Sequence, residues 1–451
     1  MINWRKPVIE AALRVTRSDV PSNRRTIRRL WNASPEAVDR YQRDRLKSLL
    51  AHAHATVPYY AEVLEETGVV TDGTVHLERY EALPLLTKET IRESGDRLVS
   101  TEPGTDPYTN TSGGTTGEPV RIVQDDEYWA WNVANKLFYQ ELAGKPLGGR
   151  EVKLWGSERD VLEGRESLAA RAINVLYNRT LLNSFRMGPE EMRAYVETIN
   201  DVRPHTIWAY VESIHQLATF VERTGLDVYS PNGIVTTAGT LHEPVRETIE
   251  TVFDTTVYNQ YGSREVGDMA CECSAQDGLH VFSHTHYIEI VDDDGYPVPP
   301  GKSGHIVVTN LVNRSMPLLR YRIGDVGVAA SGRCDCGRPF LRLESVTGRV
   351  TDHFVSVEDE LVHGEYFTHL LFEKPWVRKF QVRQETRESV VIRIVPNGTD
   401  AVPSEEFDEL VEGVHAVMGE SVDVEVDLVE SIPAQHSGKF RYTISDVTPF
   451  P

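Results

Sequence analysis

Glu151-Val-Lys-Leu-Trp155, Thr206-Ile-Trp-Ala209 and Gly233-Ile-Val-Thr-Thr237 are three short apolar runs, each followed by a segment of helical spacing: Pro189 to Ile199, Ile214 to Arg223 and Glu243 to Phe253. A short strand that alternates with an amphipathic helix buries one sheet face under that helix and returns the chain in the same direction. The stretch from about Gly149 to Ser263 therefore predicts a layered α/β domain with a mostly parallel sheet. Upstream, Ser34 to Thr67 reads as helical, with Arg43, Leu46, Leu49 and Leu50 at helical spacing and a break at Val57-Pro58-Tyr59-Tyr60. Leu83-Pro84-Leu85-Leu86-Thr87-Lys88 leads into a short helix, Lys88 to Ser94, with Thr87 as its N-cap and Gly95 as its end.

Downstream the texture changes. Val281 to Asp292 and Gly304 to Leu311 read as strands around the turns Asp293-Asp294-Gly295-Tyr296-Pro297 and Pro299-Pro300-Gly301, which predicts a β-rich subdomain at about 268–347. Beyond a hinge near Gly348, the strands Lys379 to Val382, Ser389 to Val395 and Asp423 to Val429 surround a helix, Glu405 to Met418. They predict a small α+β module over 348–451, separate from a larger domain at 1–347.

The chain has 451 residues, with 47 Lys+Arg against 68 Asp+Glu and a formal charge of −21. That length supports several domains with a sizeable core. So acidic a chain is a poor nucleic-acid binder, because phosphate neutralisation needs basic surface. No apolar run is long enough to span a bilayer, the N-terminal residues lack a signal-peptide pattern, and four cysteines are too few for a disulfide scaffold. The expectation is a soluble cytoplasmic protein with no membrane partner, and a homodimer is compatible with it. Only ten of the basic residues are Lys. An acidic, Lys-poor surface suits a halophilic protein, and equally an ordinary acidic protein from a GC-rich genome.

Several segments carry chemistry. Thr111-Ser-Gly-Gly-Thr-Thr-Gly-Glu-Pro119 places three glycines and four hydroxyl residues in nine positions. Its amides and hydroxyls can surround phosphate oxygens, although it lacks the Gly-Lys-Ser/Thr of a Walker loop and could be a flexible turn. Tyr258-Asn-Gln-Tyr-Gly-Ser-Arg-Glu265 sets an aromatic ring and a carboxylate around a glycine. Met316-Pro-Leu-Leu-Arg-Tyr-Arg-Ile-Gly-Asp325 ends an apolar run in Gly-Asp, and Ser437-Gly-Lys439-Phe-Arg441 puts a lysine on a glycine-bearing loop. Each is weak alone. All four cysteines fall in two pairs, Cys271-Glu-Cys273 and Cys334-Asp-Cys336, with His280 nearby. Thiolates plus imidazole in a set of four suit tetrahedral Zn²⁺, and four reduced thiols are the alternative.

Taken in order with Gly348-Arg349, these segments resemble the motif series of the adenylate-forming (acyl-activating) superfamily. More narrowly, they are similar to the phenylacetate–CoA ligase family, including its branch associated with capsular polysaccharide genes. Val57 to Tyr60, Leu83 to Lys88 and Met316 to Asp325 carry the narrower likeness, which runs from about Arg43 to Arg441.

The resemblance implies a mobile C-terminal domain and the substrates ATP, Mg²⁺, CoA and a small carboxylic acid. Ser112, Gly113, Gly114, Thr115, Thr116 and Gly117 would hold the ATP phosphates, Tyr261 would stack on adenine, and Glu265 would hold Mg²⁺. Asp325 would bond the ribose hydroxyls with Arg349 nearby, and Lys439 would stabilise the α-phosphate under attack. Ala238, Gly239, Gly262 and Ser263 complete the implied nucleotide set. The acid pocket would lie near Trp155, Phe185, Tyr210, Ala238, Gly239 and Tyr258. Zinc-binding relatives select Cys273, His280, Cys334 and Cys336, with Cys271 as a replacement ligand. His284 and His286, on one face of an expected strand, read as packing or surface residues. Three positions depart from the family pattern: Glu118 stands where Lys is common, Thr351 where Asp or Lys is usual, and Arg264 where Thr or Ser is usual. Two other readings remain. One is an adenylyl- or acyltransferase with a non-CoA acceptor (hydroxyl, amine or sugar). The other is a non-catalytic nucleotide-binding or zinc-stabilised interaction protein.

Overall fold

The computed structural model describes residues 3–15, 19–111, 120–156, 168–184, 187–239, 241–347, 353–372, 374–397, 404–432 and 442–447. They fall into two compact units, one built from the stretches up to 111, 120–148 and 258–347, the other from 149–257 and 353–447.

In the first unit, the helix Pro35–Thr56 starts at Ser34, whose side chain accepts from Ala37 N, and stops at Val57, before Pro58 opens the helix Pro58–Glu66. Thr87 caps Lys88–Ser94, and Gly95 closes it at a positive φ of +51°. The sheet of this unit is antiparallel, in the order His286–Val291, Ser303–Asn310, Tyr321–Ala329, Arg342–Thr347, Leu279–Val281, Gly267–Glu272, Val257–Ser263. The single strand expected from Val281 to Asp292 is two strands. Thr285 N and His286 N both bond the Phe282 carbonyl, and that turn breaks the run. The turn residues Ser283, His284, Thr285 and His286 are as buried as their neighbours on both sides, so nothing like an exposed polar loop marks the break.

In the second unit, the strands Gly233–Thr237, Thr206–Tyr210, Glu151–Trp155 and Arg179–Asn183 lie side by side and parallel. Val152, Leu154, Ile207 and Ala209 pack into a core with Val196, Ile199, Leu217 and Ile249 from the covering helices. This is the alternation the sequence predicts. The C-terminal stretch has its own core, with Phe354, Phe367, Phe380, Ile392, Leu410 and Val414 at its centre. Its mixed sheet runs Asp423–Leu428, Ser389–Pro396, Val377–Thr386, Thr443–Ser445. Among the described residues, no helix is long and apolar enough to cross a membrane.

Candidate functional site

Tyr261, Gly262 and Ser263 end the strand Val257–Ser263, and Glu265 sits in the tight connection to Gly267–Glu272. Gly267 takes φ +82°, a region that favours glycine, and a Cβ there would run into the Asn132 side chain. Buried side chains grip three consecutive carbonyls of this turn. Gln124 Nε2 donates to Arg264 O (2.9 Å) and Glu265 O (3.3 Å). His286 Nε2 (2.7 Å) and Asn310 Nδ2 (2.9 Å) donate to Val266 O. Such donors satisfy backbone groups that would otherwise be buried unpaired, and so fix the turn.

The Glu265 carboxylate is buried. Its Oε1 lies 3.5 Å from the Lys88 ammonium and 3.5 Å from the Tyr321 hydroxyl. Lys88 and Tyr321 come together because Leu86 pairs with Tyr321: Leu86 N bonds Arg320 O and Arg322 N bonds Leu86 O. Arg320, itself buried, donates to the carbonyls of Glu81, Leu83 and Gly295 and pairs with Glu289. Burial pushes the Glu289 carboxyl up, and the Arg320 charge opposes that. Leu319 N donates to the buried Tyr60 hydroxyl at 3.1 Å. The segments Val57–Tyr60, Leu83–Lys88 and Met316–Asp325 thus form one support behind Glu265.

The Tyr261 hydroxyl donates to Asp325 Oδ2 at 2.7 Å. Both residues are half-buried. A carboxylate so placed accepts vicinal hydroxyls, and a tyrosine ring beside it offers a flat apolar face. Mg²⁺ takes oxygen ligands, commonly one or two carboxylates completed by substrate phosphates. Glu265 fits, since Oε1 is held from behind and Oε2 carries neither hydrogen bond nor ion pair among the described residues.

A second cluster lies at Cys273, His280, Cys334 and Cys336, whose ligand atoms are all within 4.8 Å of one another. Cys273 follows the strand Gly267–Glu272, His280 lies on Leu279–Val281, and the other two thiols come from the loop before Arg342–Thr347. Cys273 Sγ to Cys334 Sγ is 3.6 Å and Cys336 Sγ to His280 Nε2 is 3.4 Å. Edges near these lengths are what a tetrahedron with about 2.3 Å Zn–S and about 2.0 Å Zn–N bonds requires. A disulfide needs about 2.05 Å. Ala275 N and Cys336 N donate to the sulfurs of Cys273 and Cys334. Burial, with Arg342 and Arg338 nearby, lowers His280 to about 4, so its imidazole is neutral and able to ligate. The residues fit a structural Zn²⁺. Cys271, expected as a replacement ligand, pairs with His280 in register, but its buried thiol is outside the group. Trp31 and His280 pack in a T-shaped arrangement, and Arg338 lies over the Trp31 ring.

His284 and His286 are buried side chains in the first unit rather than surface residues. His284 Nε2 meets Asn135 Oδ1 at 2.8 Å, and His286 holds the Glu265 turn. Lys88, Gln124, Asn310 and Tyr321 are the supports that sequence reading missed. Their signal is slight: polar residues inside apolar runs, with partners more than forty positions away.

In the second unit, Trp155, Asn183, Tyr210 and Thr237 line up at the C-terminal ends of the parallel strands, where open α/β sheets bind ligands. The rings of Trp155 and Tyr210 are 4.2 Å apart, and the Lys153 ammonium lies 3.9 Å from the Trp155 ring centroid and 4.6 Å from that of Trp208. Beyond Thr237, Ala238 takes φ +61°. At Gly239 a Cβ would stand 2.6 Å from both carboxylate oxygens of Glu212, so the missing side chain makes room for that carboxylate. Tyr258 is buried in the first unit. Ser112, Gly113, Gly114, Thr115, Thr116, Gly117, Glu118, Phe185, Arg349, Thr351 and Lys439 lie outside the described residues.

Residues 354–446 match the CapK C-terminal domain family. Among curated proteins, Protein CapK of Staphylococcus aureus is 22% identical over 409 residues, covering 90% of this chain and 89% of its own. Phenylacetate-coenzyme A ligase of Thermus thermophilus is 28% identical over 71% of this chain and 72% of its own, and that of Escherichia coli is 27% identical over 74% and 78%. Among solved structures, 2-hydroxyisobutyryl-CoA ligase in complex with 2-HIB-AMP and CoA in the thioesterification state is 20% identical. It covers 93% of this chain and 92% of its own, with a TM-score of 0.60. The homologues are thus Protein CapK and phenylacetate–CoA ligases, and the fold is that of the adenylate-forming enzymes.

Proposed function

We propose that this chain, a homologue of Protein CapK and the phenylacetate–CoA ligases, activates a carboxylic acid with ATP as acyl-AMP and then transfers the acyl group to CoA. The observation that carries this reading is that the motifs Tyr261–Glu265 and Tyr321–Asp325 meet twice: the Tyr261 hydroxyl bonds Asp325 at 2.7 Å, and the Tyr321 hydroxyl faces the Glu265 carboxylate at 3.5 Å. In this reading Asp325 binds the ribose hydroxyls, Tyr261 flanks the base and Glu265 holds Mg²⁺. Mg²⁺ neutralises phosphate charge as the acyl carboxylate approaches. Ser112 to Gly117 hold the phosphates, with Thr115 and Thr116 as hydroxyl donors. Ala238, Gly239, Gly262 and Ser263 line the nucleotide. Lys439 neutralises the anionic α-phosphate, because two anions meet there in the transition state.

The module 348–451 is the moving domain of this reading, which its separate core supports. Trp155 and Tyr210 border the acid, at the strand ends where such sheets take ligands. Zn²⁺ on Cys273, His280, Cys334 and Cys336 would hold the loop before Arg342–Thr347 to the sheet. The compartment is the cytoplasm, where thiols stay reduced.

One observation favours a second acceptor. The ligase matches cover 71–74% of this chain, whereas the CapK match covers 90% and residues 354–446 match the CapK C-terminal family. The C-terminal part serves the second half-reaction in this reading, so acyl or adenylyl transfer to a hydroxyl, amine or sugar is the alternative. Pyrophosphate release from ATP, screened across carboxylic acids with and without CoA and at low and high salt, tests both. Release with a thioester product supports the ligase. Acid-dependent release with no thioester supports acyl transfer to another acceptor, and ATP untouched by every acid contradicts the ligase.

A further inference from the structure

Lys88 has no task in the reading above, yet its ammonium is buried (6% exposed) and lies 3.5 Å from Glu265 Oε1. Its place is built. Thr87 caps its helix, Leu86 is bonded on both sides to the strand Tyr321–Ala329, and Tyr321, wholly buried, faces the same carboxylate oxygen. Charges in so dry a setting act on one another strongly. The Glu265 carboxylate is therefore already neutralised from behind, while Oε2 stays open.

A free divalent cation approaching Oε2 meets a pair of zero net charge and is repelled by the nearby ammonium. A cation already chelated by a polyphosphate brings negative charge with it, which the ammonium attracts. We propose that Lys88 is a positioning residue that keeps the Glu265 carboxylate closed to free divalent cations, so that the metal enters only together with the nucleotide. This rests on Glu265 as the cation ligand. Lys88 touches no reacting atom; it acts through Glu265.

The probe is Mn²⁺, followed by electron paramagnetic resonance and by the thermal midpoint, first without nucleotide. The wild type is expected to leave millimolar Mn²⁺ free. Lys88→Met is expected to bind Mn²⁺ at least about tenfold more tightly and to be raised in midpoint by it. Lys88→Arg should behave as wild type, and Lys88→Met/Glu265→Gln should lose the gain. Free Mn²⁺ bound by the wild type as tightly as by Lys88→Met overturns the proposal. Should Lys88→Met not fold, the wild type against Glu265→Gln still decides: free Mn²⁺ bound by the first and not by the second also overturns it. A non-hydrolysable ATP analogue with Mn²⁺ separates the two levels. If Glu265→Gln leaves that affinity unchanged, the assignment of Glu265 fails and the proposal with it. If Glu265→Gln weakens it but free Mn²⁺ binding ignores Lys88, only the proposal fails.

Discussion

The Tyr261 hydroxyl donates to the Asp325 carboxylate at 2.7 Å, joining two sequence motifs 64 residues apart. The bond orients Asp325 before any ligand arrives. Replacing the charge should matter more than removing the bond. Asp325→Asn is expected to weaken AMP binding by about 1.5–3 kcal/mol, the range for hydrogen bonds to charged groups, and Tyr261→Phe by about 1 kcal/mol. Calorimetric titration with AMP measures both; equal affinities for Asp325→Asn and wild type would remove Asp325 from the site.

The four-ligand cluster predicts about one Zn²⁺ per chain by elemental analysis. Cys334→Ser should lose the metal and lower the thermal midpoint, because metal-binding free energy is part of folding free energy. Full stability in a metal-free wild type would make the cluster three plain thiols and an imidazole.

Gly267 should not tolerate a side chain. Gly267→Ala combines a left-handed φ with a collision at Asn132, and about 1–3 kcal/mol of stability is expected to be lost. Asn132 Oδ1 also accepts from Asp268 N, so the turn carrying Glu265 should shift with it. Urea denaturation reads the first effect and acid-dependent pyrophosphate release the second.

Burial holds His284 at about 3 and His286 at about 4, far below the ordinary value near 6.5. Each is neutral in the fold, so the unfolded chain binds more protons below about pH 6.5. Their stability is complete above that pH and is lost as pH falls toward 4, at about 1.4 kcal/mol per unit for each histidine. Urea midpoints from pH 7 to 4.5 should fall accordingly, and His284→Gln should flatten the slope. A slope unchanged in His284→Gln would show that other groups carry the acid sensitivity.

Much of this molecule was legible from its sequence where a local rule was enough. Thr87 and Gly95 bound their helix as capping rules require, and the strands Glu151–Trp155 and Gly233–Thr237 have the bounds their apolar runs suggest. The paired cysteines with His280 nearby suggested a metal set, and the likeness to zinc-binding relatives selected the four residues the fold assembles. The turn at Phe282 to His286 was not legible, because buried apolar residues on both sides mask it. The grip of Gln124, His286 and Asn310 on the Glu265 turn, and of Lys88 on its carboxylate, was hidden for another reason. Each is one buried polar residue whose partner is fixed only by the register of distant strands and helices.

The central claim is that an acid is joined to AMP, and ATP–pyrophosphate exchange measures that step before any acceptor is involved. The account predicts exchange that depends on a carboxylic acid and on Mg²⁺, needs no CoA, and falls by at least about a hundredfold in Lys439→Ala. Acid-dependent exchange that survives in Lys439→Ala at the wild-type rate, or no exchange with any acid, would contradict it.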